Sequence, residues 1–177
     1  MDFNSFSPAL VITMVVALAM APFVAVMVTS FTKIVVVLSL LRNALGLQQV
    51  PPNVVINGLA IILSIYVMNP VIGDSYRDVQ TQMSTQAPGP MTMEKLGQLV
   101  QSGKEPLRRF LIKHSNENER GFFLASAKRL LPADRQADLT NEDYMVIVPA
   151  FNVSELTQAF QIGFLIFLPF LVIDLVV

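Results

Sequence analysis

Of the 25 acidic and basic side chains in this 177-residue sequence, 20 lie between Asp74 and Asp143. On either side the chain is almost pure hydrocarbon. Apolar stretches without charge cannot form the water-facing surface of a monomer, so the flanks must meet lipid or other subunits. Charged residues make up only 14% of the whole, against roughly 25% in soluble domains. Net charge is −1, which removes any electrostatic case for nucleic acid. With no cysteine, a disulfide scaffold, thiol catalysis and cysteine-ligated metals are excluded.

The pattern predicts a mainly α membrane-associated protein in three parts. These are an apolar helical hairpin over 1–72, a soluble helical domain over 73–148 and an apolar helix over 149–177. Met1 to Pro8 contains Asp2 and no Lys or Arg, unlike a secretory signal, and is read as retained. Ala9 to Leu41 as one helix would measure about 50 Å, against a hydrocarbon core of about 30 Å. It must therefore be kinked, divided or partly outside the bilayer. Pro22 is the expected kink, because it lacks the N–H that would bond the carbonyl four residues back. Thr29, Thr32 and Lys33 make a polar patch in this apolar rod.

Arg42 and Asn43 close the first run. Gly46 and Pro51-Pro52 then form a connection through Gln48 and Gln49 that a helix cannot cross. Val54 to Met68 returns as the second arm, with Asn57, Ile61, Ser64 and Met68 expected on one face and Asn69-Pro70 as its end. In the middle part, Ala87-Pro88-Gly89-Pro90 is a breaker. A short helix is expected over Met93 to Ser102, stopping at Gly103, and a new one starting near Pro106 with Leu107, Phe110 and Leu111 inward. Asn116 suits the N-cap of a helix from Glu117 to Leu131, with Phe122, Phe123 and Leu130 inward, ending at Pro132. Tyr144 to Val148 is the one stretch with strand-like alternation. The last helix is expected after Pro149, with Asn152 and Glu155 as a variant capping box. Phe160, Phe164, Phe167 and Leu171 form a packing stripe that leads to Asp174, and Pro169 interrupts the hydrogen bonding. No polar anchor follows Asp174, so the chain is expected to continue past Val177 in its full form.

No phosphate loop, zinc-protease motif or nucleophile elbow is present, so neither catalysis nor a cofactor is expected. His114, beside Lys113, reads as an ordinary surface or cap residue. Asn152-Val153-Ser154 fits a glycosylation sequon, but capping explains it better. Glu155 is likewise read as a cap in preference to a partner contact. Lys33 and Asp174 are lone charges in apolar helices, where an ionised group costs about 2.5–3.5 kcal/mol on insertion scales. Snorkelling is the plain explanation. Pairing across helices, within or between subunits, is the favoured one.

Two strings carry a family resemblance. The first runs unbroken from Thr29-Ser30-Phe31-Thr32-Lys33 through Leu41-Arg42-Asn43-Ala44-Leu45-Gly46 to Val50-Pro51-Pro52-Asn53. The second comprises Val148-Pro149-Ala150-Phe151, Ser154-Glu155-Leu156, Ala159-Phe160-Gln161-Ile162-Gly163-Phe164 and Phe167-Leu168-Pro169-Phe170-Leu171-Val172-Ile173-Asp174-Leu175. Both resemble the FliP/SctR export-gate family of type III secretion systems, the virulence branch more than the flagellar one. The middle region matches in size and character, not in motif. The resemblance implies a non-enzymatic pore subunit of the bacterial inner membrane, with the middle domain periplasmic. It implies five copies in a shallow helical ring, lifted toward the periplasm, with SctS-like and SctT-like partners, through which unfolded protein passes. It also implies a further Met-rich region, lining the gate, beyond the residues here. Lys33, Arg42, Asn43, Pro51, Pro52, Asn57, Glu155, Pro169 and Asp174 are the assembly candidates. A small-solute transporter subunit is the alternative, although internal repeats and convergent polar groups are missing.

Overall fold

The computed structural model describes residues 8–47, 50–85 and 93–176. The calls on Met1 to Ser7, on Gln48 and Gln49 and on the Ala87-Pro88-Gly89-Pro90 breaker lie outside the described residues. The elements are α1 (Pro8–Val28), α2 (Phe31–Ala44), α3 (Asn53–Thr85), α4 (Met93–His114), α5 (Glu117–Leu130), α6 (Ala133–Gln136) and α7 (Tyr144–Val176). Among the described residues there is no strand, and Tyr144 to Val148 is the first turn and a half of α7.

The long N-terminal run is divided, but not at Pro22. That proline sits inside α1, and the break falls at Thr29-Ser30, where the flanking helices bend by 63°. Hydroxyl side chains make the break by competing for backbone groups. Thr32 Oγ1 donates to Val26 O at 3.2 Å, and Phe31 N donates to Thr29 Oγ1 at 3.4 Å. At its other end α2 closes on Gly46, whose φ of 69° suits glycine. Gly46 N reaches Asn43 O and Leu47 N reaches Arg42 O, which satisfies carbonyls the helix leaves open.

Three expected helix boundaries are overturned. Helix α3 runs through Asn69-Pro70, α4 through Gly103 and Pro106, and α7 through Pro149, while Pro169 lies inside α7 as expected. A proline inside a helix costs about 3 kcal/mol. On α7, Val146, Ile147, Ala150 and Phe151 are fully buried on both sides of Pro149. Each large side chain among them contributes about 1.5–3 kcal/mol on burial, enough together to carry the helix past the lost bond. Gly103 is not a stop signal. It lets α3 approach, since a Cβ there would lie 3.2 Å from Val79 Cγ2.

The core sits where α3, α4 and α7 meet. Met68, Phe110, Leu111, Ile147 and Phe151 form it, and the rings of Phe110 and Phe151 are tilted with centroids 5.7 Å apart. Leu107 packs against this cluster as expected. Asn116 caps α5 by accepting from Asn118 N at 2.9 Å. Arg120 Nη1 donates to Ile112 O, Ser115 O and Ser115 Oγ, which neutralises the end of α4. The inward face of α5 is not the expected one. Ala127 is buried there, whereas Phe122 is exposed and Leu130 is 81% exposed. The short α5 leans on α7 through its small residue, with Phe123 half-buried and Phe122 and Leu130 facing out.

Outside this core the apolar helices are largely bare. Helix α3 and residues 144–173 of α7 are each long and apolar enough to cross a membrane, and the bent α1–α2 pair makes a third candidate. On α3 the buried stripe is Ile56, Ala60, Ser64 and Met68, at four-residue steps. Ser64 and Met68 fulfil the expectation. Asn57 and Ile61 are exposed, because the stripe passes one residue before each.

Candidate functional site

The chemistry-bearing side chains converge at the α1–α2 break, where α7 passes it. Helix α2 lies alongside α7, and this places Lys33 opposite Glu155. Their Nζ and Oε1 atoms are 2.5 Å apart, with the Glu155 side chain 2% exposed and that of Lys33 22% exposed. The contact is one of charge on charge. The directed hydrogen bond from Lys33 Nζ goes to Gln158 Oε1 at 2.9 Å, and Glu155 Oε1 receives no aligned donor. Lys33 therefore pairs across helices within the chain and does not snorkel. The capping role read for Glu155 is overturned, since it lies three turns into α7, away from any helix end.

Asn152, expected as a cap, does different work one turn earlier. Its Nδ2 donates to Met27 O at 2.9 Å and to Val148 O at 2.8 Å. Met27 O is a carbonyl that the break leaves without a helical donor, so α7 supplies one. Buried Ser154 accepts from Asn116 N at 2.8 Å and ties the α4–α5 corner to the same helix. Asn152, Ser154, Glu155 and Gln158 thus fasten α1, α2 and the α4–α5 corner to one stretch of α7. Sequence reasoning named Asn152 and Glu155 in the wrong role and passed over Ser154 and Gln158. Polar residues three apart inside an apolar helix were the available signal.

The other assembly candidates lie elsewhere. Arg42 Nη1 closes the hairpin by donating to Asn53 Oδ1 at 2.6 Å and to Pro51 O at 3.3 Å. Asn43 and Pro52 are exposed beside it, with Pro51 half-buried. Pro169 is an exposed interior residue of α7. Asp174 belongs to the same helix, and its side chain lies outside the described residues. Phe160, Phe164, Phe167 and Leu171 do share a face, but it is exposed. The three phenylalanines join Leu40, Asn43 and Gly163 around an open apolar groove of about 440 Å³. Gly163, which sequence reasoning did not single out, is the crossing point with α2: a Cβ there would lie 3.0 Å from Leu40 Cβ. The groove has no convergent polar set, and among the described residues no cluster of His, Asp or Glu could hold a metal ion. The joint can carry load and fix an angle between helices. It offers no nucleophile or proton relay aimed at a substrate.

Known proteins resemble this chain over nearly its whole length. The FliP family model matches residues 10–177. The chain is 49% identical to the hypersensitivity response secretion protein HrcR of Ralstonia nicotianae, covering 96% of this sequence and 77% of that protein. It is 47% identical to the Yop proteins translocation protein R of Yersinia pestis, over 90% and 72%. It is 41% identical to the virulence protein YscR of Salmonella typhimurium, over 97% and 77%.

Proposed function

The chain belongs to the FliP family, and from that membership we propose that it is a core subunit of the export gate of a virulence type III secretion system. It serves there as a structural, non-enzymatic element of a pore for unfolded protein. The observation that carries this reading is the division of labour along α7. A polar joint locks the helices of one chain together, while large apolar faces on α3 and on the rest of α7 stay uncovered. Such faces need lipid or neighbouring subunits. Several copies of this chain, with SctS-like and SctT-like subunits, supply them. The names of the relatives, secretion and translocation proteins, support this over a small-solute transporter.

The three-part division belongs to the environment rather than to the helices. Segment 73–148 is the water-facing part and lies in the periplasm, while α3 and α7 each run from it into the apolar region. Asn57, exposed on α3, and Asp174 on α7 are assigned to contacts between subunits. Deletion of the gene should abolish secretion of type III substrates, and re-expression should restore it. Native mass spectrometry of the extracted complex should give several copies of this chain with partner subunits. A stable monomer of the full-length protein would sink the gate reading. A reporter at Gln86 that is active only in the cytoplasm would reverse the topology.

A further inference from the structure

The break between α1 and α2 is made from groups that have a second use. In one continuous helix the amides of Ser30 and Phe31 would donate to Val26 O and Met27 O. Here both carbonyls are served by side chains. Thr32 Oγ1 donates to Val26 O at 3.2 Å, Asn152 Nδ2 of α7 donates to Met27 O at 2.9 Å, and Phe31 N turns to Thr29 Oγ1 at 3.4 Å. Ser30 needs little to rejoin the helix. Its φ of −69° is already helical, and its ψ of 0° differs by about 40° from the helical value. The exchange strands neither side chain. Asn152 keeps its bond to Val148 O, and Thr32 can turn to Val28 O one turn back, as threonine hydroxyls do inside helices. Two bonds are traded for two, so the count of bonds favours neither arrangement.

Of the two helices, α1 is the one free to move. Helix α2 is held on α7 by Lys33 against Glu155 and by the close crossing of Leu40 on Gly163. Among the described residues, the hydrogen bonds that tie α1 to other helices are confined to its last turn, at Val26 O and Met27 O. Ile12, Val15, Leu18 and Phe23 are each more than half exposed. An open apolar groove of about 530 Å³ has Phe23 and Val24 on one wall and Leu107 and Tyr144 on the other. We propose that the α1–α2 elbow has two states. It is bent while Thr32 and Asn152 of α7 hold the two carbonyls, and straight, as one helix from Pro8 to Ala44, once they let go. Straightening swings α1 through the 63° of the bend and moves its far end by about 30 Å. The seat of α7 thereby sets the direction of α1. Because coupling is reciprocal, whatever covers the bare face of α1 in one direction also bears on the seat of α7. The elbow is a property of the single chain and does not rest on the gate reading.

The test is a spin-label distance measurement on the full chain in detergent micelles, diluted with unlabelled chain to suppress distances between copies. Nitroxides go on Ile12→Cys and Leu45→Cys, both exposed positions in a sequence without cysteine. At about 1.5 Å per residue these positions lie about 42 Å apart across the 63° bend and about 50 Å apart along a straight helix. The parent should give the shorter distance. Thr32→Val/Asn152→Ala should give the longer one, and Asn152→Ala alone should skew the distribution toward it. Ser30→Pro added to the double variant should restore the shorter distance. Proline fits the φ of Ser30 and cannot supply the amide that a straight helix needs for Val26 O. A parent at the longer distance, a double variant that stays at the shorter one, or a longer distance that survives Ser30→Pro would each overturn the elbow. Should the double variant fail to fold, Asn152→Ala decides, because a distribution identical to the parent's overturns it as well.

Discussion

The two halves of α7 are built from similar residues and end in opposite environments. In the first half Val146, Ile147, Ala150, Phe151, Glu155 and Ala159 are buried, α1, α2 and the α4–α5 corner are fastened to it by polar contacts, and Met68 of α3 and Phe110 of α4 pack on it. In the second, Phe164 is 61% exposed and Leu175 is 87% exposed. The first half spends its apolar and polar groups on the chain itself. The second reserves its groups for whatever lies outside. Hydrophobicity alone did not separate them, since both are rich in Phe, Val, Ile and Leu. The separation comes from the small polar residues that give the first half specific partners.

The sharpest way to break this contrast is Glu155→Ala, which leaves Lys33 without its counter-charge. Losing one member of a buried pair costs about 3–5 kcal/mol, and thermal unfolding of the detergent-solubilised chain should show it. A transition indistinguishable from the parent would mean the joint carries no load. Asn152→Ala comes next, at about 1–3 kcal/mol, because Met27 O loses its donor inside the fold. The same melting experiment reads it, and hydrogen exchange should rise at the α1–α2 break. Gly163→Ala probes the boundary between the halves. Overpacking against Leu40 costs about 1–3 kcal/mol, and the better helix propensity of Ala returns up to about 1. A net loss should appear as a lowered melting temperature; a gain would show that Leu40 moves aside freely.

Phe164→Ala gives the smallest effect on the chain alone, within about 0.5 kcal/mol, as for other exposed positions. Its effect should fall on assembly, read as reduced recovery of partner subunits on blue-native gels. If Phe164→Ala destabilises the single chain as much as Glu155→Ala does, the two halves are not different in kind.

Much of the fold was legible. Charge confined to one segment marked the polar part. Gly46 marked the end of α2, Asn116 capped α5, and Leu107, Phe110 and Leu111 gave the inner face of α4. Each of these is a local rule obeyed locally. The errors share one origin. Pro70 was read as a helix end, Pro106 and Pro149 as helix starts, and Asn152 with Glu155 as a cap, from signals within a few residues of each position. Lys33 was legible as a residue in need of a partner, because a charge in hydrocarbon is costly wherever it sits. Its partner lies more than a hundred residues away in sequence, and no local pattern names it.

By itself, then, the sequence determined composition by segment, the helical class and the need of the flanks for an apolar environment. These follow from transfer free energies that each residue carries with it. The tertiary structure alone decided where α1 and α2 divide, which prolines the helices run through, and that Lys33 meets Glu155 beneath the bend. A proline's penalty of about 3 kcal/mol, or a hydroxyl's claim on a carbonyl, is small enough to be outweighed by burial on distant helices. Only packing determines which of them wins.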